Sequence, residues 1–332
     1  MYLIDLENHF YDRFVIETFA RRDNPPYYRR GTDRITWSEQ VSMPQGKLLE
    51  ALLETGEGRI AKMDRLGISC AVISSAPGVE NLSAEEAIAA CRVENDALYA
   101  LTKEFPGRYL GSAILPVQDV RAAETELRRC VSELGFVAWH THSNYGAASP
   151  DDKRYQPLFK TAAELGVYVY LHPQLPAASR VDDLGFTVAG PGLGFTIDTM
   201  TTLTRMIVTG LFDDVPQLKM VVGHLGEALP FLLDRMTNRI KFLPNPAVKN
   251  KFDFDYYFHN NIWVTTSGNM SKAAFACTSS ALGADRIIFG SDYPFEDAAD
   301  MVGFIEELPL SRTDRERLYY KNAESLGAIY NA

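Results

Sequence analysis

Residues 155–173 read YQPLFKTAAELGVYVYLHP. Tyr155–Leu165 is an amphipathic stretch of helical period, Gly166 supplies a helix stop, Val167–Leu171 is a continuous apolar strand-like run, and His172 stands where that run ends. The same unit recurs along the chain. Strand-like runs lie at Leu3–Leu6, Cys70–Ser74, Tyr109–Leu115, Phe136–His140, Val167–Leu171, Leu218–Val222, Ile262–Thr265 and Ile287–Phe289. Most are apolar throughout, as strands buried on both faces must be. Between them lie amphipathic stretches at Lys47–Leu66, Ala84–Phe105, Ala122–Leu134, Tyr155–Leu165, Thr199–Phe212, Ala228–Phe242, Ser271–Leu282 and Ala298–Leu308, and Arg312–Leu326 adds a final helix. RLGI, ELGF, ELGV and ALGA each pair a glycine stop with the start of the next strand. This alternation predicts one α/β domain over residues 1–332, a (β/α)8 TIM barrel, rather than a doubly wound sheet with a second domain. No linker, low-complexity segment or short repeat interrupts it.

Composition sets the bounds. The 332 residues are 46% hydrophobic and 23% charged, ordinary for a globular chain with a sizeable core. A net charge of -10 without a basic stripe argues against nucleic acid as a partner. No run approaches the roughly 18 apolar residues of a membrane span, and the chain opens on a strand rather than on a signal peptide. Cys70, Cys91, Cys130 and Cys277 form no CxxC pair and read as small apolar residues of a cytoplasmic protein.

Two segments exceed the minimal barrel. Tyr11–Gly46 follows the first strand and carries Tyr27, Tyr28, Trp37 and Arg29–Arg30; Gln174–Phe195 follows the fifth and is rich in Gly, Pro and Ala. Both leave the end of the barrel where chemistry is assembled, and both are too apolar for simple disorder. They are expected to wall a pocket, 11–46 as an active-site insertion, in a chain that assembles as a homodimer or homotetramer.

Candidate functional residues cluster at strand ends. Glu7 and His9 in IDLENHF alternate about Asn8, so a strand places them on one side. His172 precedes a proline, and a satisfied polar side chain has the same appearance. His224 opens HLGE, in which the glycine permits a sharp turn and Glu227 either orients His224 or serves as a first-turn anion. Asp292 in GSDYPFE occupies a position open to a ligand, a general acid or a general base. Converging at one barrel face, these side chains are the ingredients of a single metal centre, and the chain reads as an enzyme.

ENHF, LHP, GHLGEALPFLLDR, TTSGN and GSDYPFE together resemble the amidohydrolase-2 branch of the metal-dependent amidohydrolases. Within it the chain is similar to the non-oxidative aromatic decarboxylases, among them the γ-resorcylate (2,6-dihydroxybenzoate), 2,3-dihydroxybenzoate and 5-carboxyvanillate enzymes. Much of the superfamily begins with an HxH pair; here, as in these decarboxylases, Glu7 takes the first position. The resemblance implies Glu7, His9, His172 and Asp292 as metal ligands, with His224 close by and paired with Glu227. It also implies Arg59 and Arg235 as candidates for holding substrate polar groups and Phe295 as an aromatic substrate wall. One departure stands out. WHTHSNYG after the fourth strand carries His140 and His142 where those decarboxylases have other polar residues. One of the two is expected to face the pocket, with His142 the candidate for substrate contact, and the other to face the helices.

A mixed histidine and carboxylate set suits one divalent ion, Zn²⁺ or Mn²⁺. The expected activity is decarboxylation of a small ortho-hydroxybenzoate-like acid. The ring carbon bearing the carboxyl group takes a proton from Asp292, managed by His224 and Glu227, and CO₂ leaves. The alternative is metal-assisted hydrolysis or hydration on the same barrel.

Overall fold

Continuous apolar runs cannot expose either face to water, so they pair side by side and take helices on the outside. The computed structural model describes residues 2–38, 41–176 and 180–329. Its eight parallel strands are β1 (Ile4–Phe10), β2 (Cys70–Ser75), β3 (Tyr109–Ala113), β4 (Ala138–His142), β5 (Tyr168–His172), β6 (Met220–Val222), β7 (Ile262–Thr265) and β8 (Ile287–Ile288), in that order across the sheet. Backbone bonds from Leu6 N to Phe289 O (3.0 Å), Asp292 N to Glu7 O (3.0 Å) and His9 N to Tyr293 O (2.7 Å) join the last strand to the first. The result is a (β/α)8 barrel.

Alternate strand residues serve two cores. Ile4, Leu6, Val72, Ala138, Tyr168, Tyr170, Val221 and Ile288 fill the barrel, closed at its base by Ala323, Leu326 and Ala328. Ile73, Trp139, Val169, Leu171 and Val222 face the helices instead. Along β1 the phase changes. Between Asp5 and Asn8 the strand carries a bulge, Asp5 pairing with Ala71 and Asn8 with Ile73. The extra residue lets Glu7 and His9 follow the inward Leu6 to the barrel interior, while Asn8 turns outward.

The boundaries differ from the sequence pattern in several places. The stretch 47–66 is two helices, Lys47–Leu53 and Glu57–Leu66, broken where the Glu54 carboxylate accepts from Gly56 N at 2.8 Å. The seventh helix begins at Gly194, runs to Val208 and resumes as Leu211–Asp214. The final helix contains a π-helical turn, Arg317–Lys321. A helix at Phe254–Asn260 precedes β7, and β4 starts at Ala138 rather than Phe136. No helix among the described residues is long and apolar enough to cross a membrane. All four cysteines are free thiols, three buried and Cys277 half-buried.

The first insertion has its own order. Asp12 caps the helix Arg13–Ala20, accepting from Phe14 N at 2.7 Å, and Tyr27–Tyr28, Arg34–Thr36 and Ser42–Gln45 form a small antiparallel sheet. Val15, Ile16, Phe19 and Ile35 pack with Leu52 and Val79 in a satellite core. Positions 39–40 and 177–179 of the two insertions lie outside the described residues, as do 1 and 330–332.

Glu94, on the helix Ala84–Glu104, holds the start of this insertion by accepting from Asp12 N at 3.4 Å. Burial pushes its carboxyl up to about 8, so the folded protein binds a proton there that the unfolded chain releases near its ordinary value. The Glu94 contribution to stability is therefore full at acid pH and is lost as pH rises from about 4.5 to about 8. Glu94→Gln should flatten this dependence, gaining up to roughly 3 kcal/mol over wild type between pH 5 and pH 8. Urea denaturation at both pH values measures it, and an equal wild-type to variant difference at the two would refute it.

Candidate active site

Four donors meet at the C-terminal end of the barrel. Glu7 and His9 come from β1, His172 ends β5, and Asp292 follows β8. One ligand atom from each lies within 4.8 Å of all the others. His9 Nε2 is 3.1 Å from Asp292 Oδ1 and 3.9 Å from Glu7 Oε1; His172 Nε2 is 3.9 Å from Glu7 Oε1 and 4.0 Å from Asp292 Oδ1. Glu7 Oε1, His9 Nε2 and Asp292 Oδ1 are buried with no hydrogen-bond partner among the described residues. Buried polar atoms are normally paired, so three orphans turned toward one point form a cradle for a cation.

The outer atoms of these side chains are tied down. Glu7 Oε2 accepts from Thr265 Oγ1 at 2.9 Å, and Thr265 Oγ1 lies 3.1 Å from the Tyr170 hydroxyl. His172 Nδ1 donates to Pro173 O at 2.7 Å; a carbonyl only accepts, so the lone pair is left on Nε2. His9 Nδ1 meets Ser74 Oγ at 3.2 Å. This is the orienting layer that metal-ligating side chains require.

The protons follow from the charges. Burial opposes the charged form of Asp292, but the neighbouring His172, His224 and His9 imidazoles outweigh it and hold the carboxyl well below its ordinary range. Burial and the Asp292 charge press Glu7 upward, yet His9, His224 and His172 leave it lowered. Burial would lower His9, but the Asp292 and Glu7 carboxylates lift it to about 9. His172 is pushed down to about 4 by burial. His224 is raised well above its usual value, the Glu227 and Asp292 carboxylates outweighing burial.

Above the cluster lies a cavity of about 230 Å³. Trp37, Val41, Met43 and Pro44 of the first insertion and Leu175, Phe186, Pro191 and Phe195 of the second line it, together with His172, His224, Asp292 and Phe295. Its apolar walls and few polar groups have the make-up of a small-molecule site.

Comparison with known proteins agrees with this geometry. An amidohydrolase family model matches residues 57–326. The chain belongs to the amidohydrolase family. It is 35% identical over 293 residues to a gamma-resorcylate decarboxylase of Polaromonas sp. strain JS666, covering 84% of this chain and 89% of that one. It is 32% identical over 342 residues to the decarboxylase orsB of Emericella nidulans, covering 99% and 97%. A dihydroxybenzoic acid decarboxylase from Polaromonas sp. JS666, solved with bound manganese and the inhibitor 2-nitroresorcinol, superimposes with a TM-score of 0.85 at 30% identity, covering 99% and 98%.

The remaining sequence candidates fall in different places in this amidohydrolase. Phe295 lines the cavity, its ring 5.3 Å from that of His9. Arg59 is fully buried and away from the cavity: it donates to Asn8 Oδ1 (3.0 Å), His9 O (2.7 Å) and Ala51 O (2.6 Å), fastening the end of β1. Its Nη1 and Nη2 are taken by the Asn8 side chain and by the His9 and Ala51 carbonyls, and it does not line the cavity. Arg235 is exposed on the helix Leu229–Phe242 and lines no part of the cavity in this chain. His142 is also buried, does not line the cavity, and bonds through Nδ1 to Glu80. The division of His140 and His142 between pocket and helices does not hold. Residues two apart on a strand share a face, and both rings pack on His172, at 5.1 and 5.5 Å. Thr141 between them bonds Tyr145 instead.

Sequence reading missed Thr265, Tyr170 and Ser74, ordinary strand residues whose inward direction only the barrel reveals. It also missed Gln174 and Glu296 in the cavity wall. Their nearness to His172 and Asp292 in the chain was the one available signal.

Backbone strain concentrates here. Positive φ occurs at His224 (53°), Leu225 (58°), Gly226 (79°) and Glu227 (57°), and again at Asp292 (61°). This left-handed turn returns Glu227 to its partner, His224 Nδ1 lying 2.8 Å from Oε1 while Thr196 Oγ1 donates to Oε2 at 2.7 Å. Each of the four non-glycine residues costs of order 1–3 kcal/mol, sustained by the packing around it. Gly268 (φ 60°) makes room for the ring, since a Cβ there would stand 2.6 Å from His224 Cδ2 and 3.1 Å from Nε2. Gly268→Ala should destabilise by about 2–3 kcal/mol, part from backbone and part from the clash. In a His224→Ala background about 1 kcal/mol of that should return. A double-mutant cycle in urea measures it; a coupling of zero would remove the contact as the cause.

Proposed function

We propose that this amidohydrolase is a metal-dependent, non-oxidative decarboxylase of an ortho-hydroxybenzoate-like acid. The convergence of Glu7, His9, His172 and Asp292 beneath an aromatic-walled cavity, with a proton-holding histidine beside them, carries the reading. The orphaned donor atoms fit one divalent ion, Zn²⁺ or Mn²⁺, which when bound supplies a Lewis acid for carboxylate and phenolic oxygens. The relatives support decarboxylation over hydrolysis, since those compared bear the names of decarboxylases.

The residues divide the work. His9 would hold the ion through a neutral Nε2. His224 holds a proton, kept there by Glu227, and its Nε2 lies 3.7 Å from Asp292 Oδ2. Asp292 passes that proton to the ring carbon bearing the carboxyl group, CO₂ leaves, and aromaticity returns. The 3.7 Å approach of His224 Nε2 to Asp292 Oδ2 supports assigning the acid to this pair rather than to Asp292 alone. Phe295 bounds the ring plane, and the insertions 11–46 and 174–195 exclude water.

The test is CO₂ release from a panel of hydroxybenzoates, with metal measured in the same preparation. Wild type should carry about one divalent ion per chain and release CO₂ from at least one ortho-hydroxy acid. His172→Ala should lose most of its metal while keeping its circular dichroism. Asp292→Asn should lower kcat by about 10² to 10⁴ without recovery in excess metal. Solvent ¹⁸O in the product in place of CO₂ loss would overturn decarboxylation. Wild-type hydrogen–deuterium exchange at the product ring carbon in Asp292→Asn would overturn the assigned proton path.

Copies of the chain are also proposed to associate as a homodimer or homotetramer. Phe231, Phe242 and Leu243 are 79%, 69% and 68% exposed on and beside one outer helix, an apolar surface of the kind buried between subunits. Light scattering at micromolar concentration should give a multiple of 37.1 kDa, and a monomer mass would refute it.

A further inference from the structure

We propose that His140 is a fifth protein ligand of the ion read into this site; the inference rests on that metal reading. His140 lies on β4 beside Tyr170 of β5, ring centroids 5.4 Å apart. Its ring stands 5.4 Å from that of His9 and 5.1 Å from that of His172. A ligand atom of His140 falls within 4.8 Å of ligand atoms of both, so His9, His140 and His172 form a second donor set overlapping the first. His140 Nε2 is buried and has no hydrogen-bond partner, an arrangement that costs about 1–3 kcal/mol unless something accepts the lone pair.

Two ions cannot serve the two sets. Both contain His9 and His172, whose Nδ1 atoms are committed to Ser74 and to Pro173 O, leaving each ring one nitrogen to give. One ion between the carboxylates and His140 satisfies all five side chains. Three imidazoles tilt the site toward Zn²⁺ relative to a set with two.

The experiment is pulsed EPR of the Mn²⁺-loaded protein, unlabelled and ¹⁵N-histidine-labelled, which counts directly bound imidazole nitrogens. Wild type should show three, and His140→Gln or His140→Phe two. Competition with a chelator should show the preference for Zn²⁺ over Mn²⁺ falling about tenfold or more in these variants. Circular dichroism confirms folding, and the wild-type count decides the matter even if neither variant folds. Two nitrogens in wild type would overturn the proposal, Nε2 then being satisfied by water, while leaving the four-residue centre intact. Failure to bind Mn²⁺ or Zn²⁺ at all would instead overturn the metal reading and this inference with it.

Discussion

Glu7 and Asp292 are carboxylates buried at the seam where the first and last strands of the barrel meet. Two like charges out of water and close together are untenable alone, and the surrounding arrangement answers them. Three histidines face them, Thr265 donates to Glu7, and the donor atoms left over could hold a cation. The seam is fastened just below. Asp5 accepts from Ser291 N at 2.9 Å and Ser291 Oγ at 2.5 Å, and from Asn8 Nδ2 at 3.1 Å. Burial lifts Asp5 to about 6, and these donors limit the rise.

The same demand accounts for structure further out. Arg59 crosses to the end of β1 and holds Asn8 and the His9 carbonyl, fixing the bulge that turns Glu7 and His9 inward. His224 reaches Asp292 only because four successive residues accept left-handed backbone, with Gly268 leaving space for the ring. The insertions then cover the one face on which so polar a centre opens. Trp37 is set in that wall by its Nε1 bond to Met43 O at 2.6 Å, a contact within the small antiparallel sheet.

Much of this was legible in the residues. Two-sided burial forces strands to be apolar throughout, and glycine stops mark where helices give way, so the alternation was plain from 155–173 outward. The strand ends carrying Glu7, His9, His172, His224 and Asp292 could be read because a barrel gathers such positions. Other features were hidden for physical reasons. A one-residue bulge leaves no mark in composition, and the break at 54–56 depends on one carboxylate reaching back to a backbone amide. Arg59 resembled a substrate contact because a buried guanidinium and an exposed one have the same letter. The pairing of His140 with His142 on one face was available from the period of a strand. What the sequence lacked was the direction of that face, which β5 and Tyr170 supply.

The seam also dictates when the centre can exist. Asp5 and Ser291, which clasp it, are 286 residues apart in the chain, and Glu7 and Asp292 stand beside them. During synthesis the N-terminal ligands leave the ribosome long before their partner strand has been made. Glu7 and His9 then belong to an unclosed sheet with an open edge, where neither the geometry nor the charge balance of the site is present. Assembly of the four-residue centre is thus a late event, following barrel closure and separate from the folding of the early strands. A centre that needs Glu7 and Asp292 side by side can form only once β1 and β8 have met.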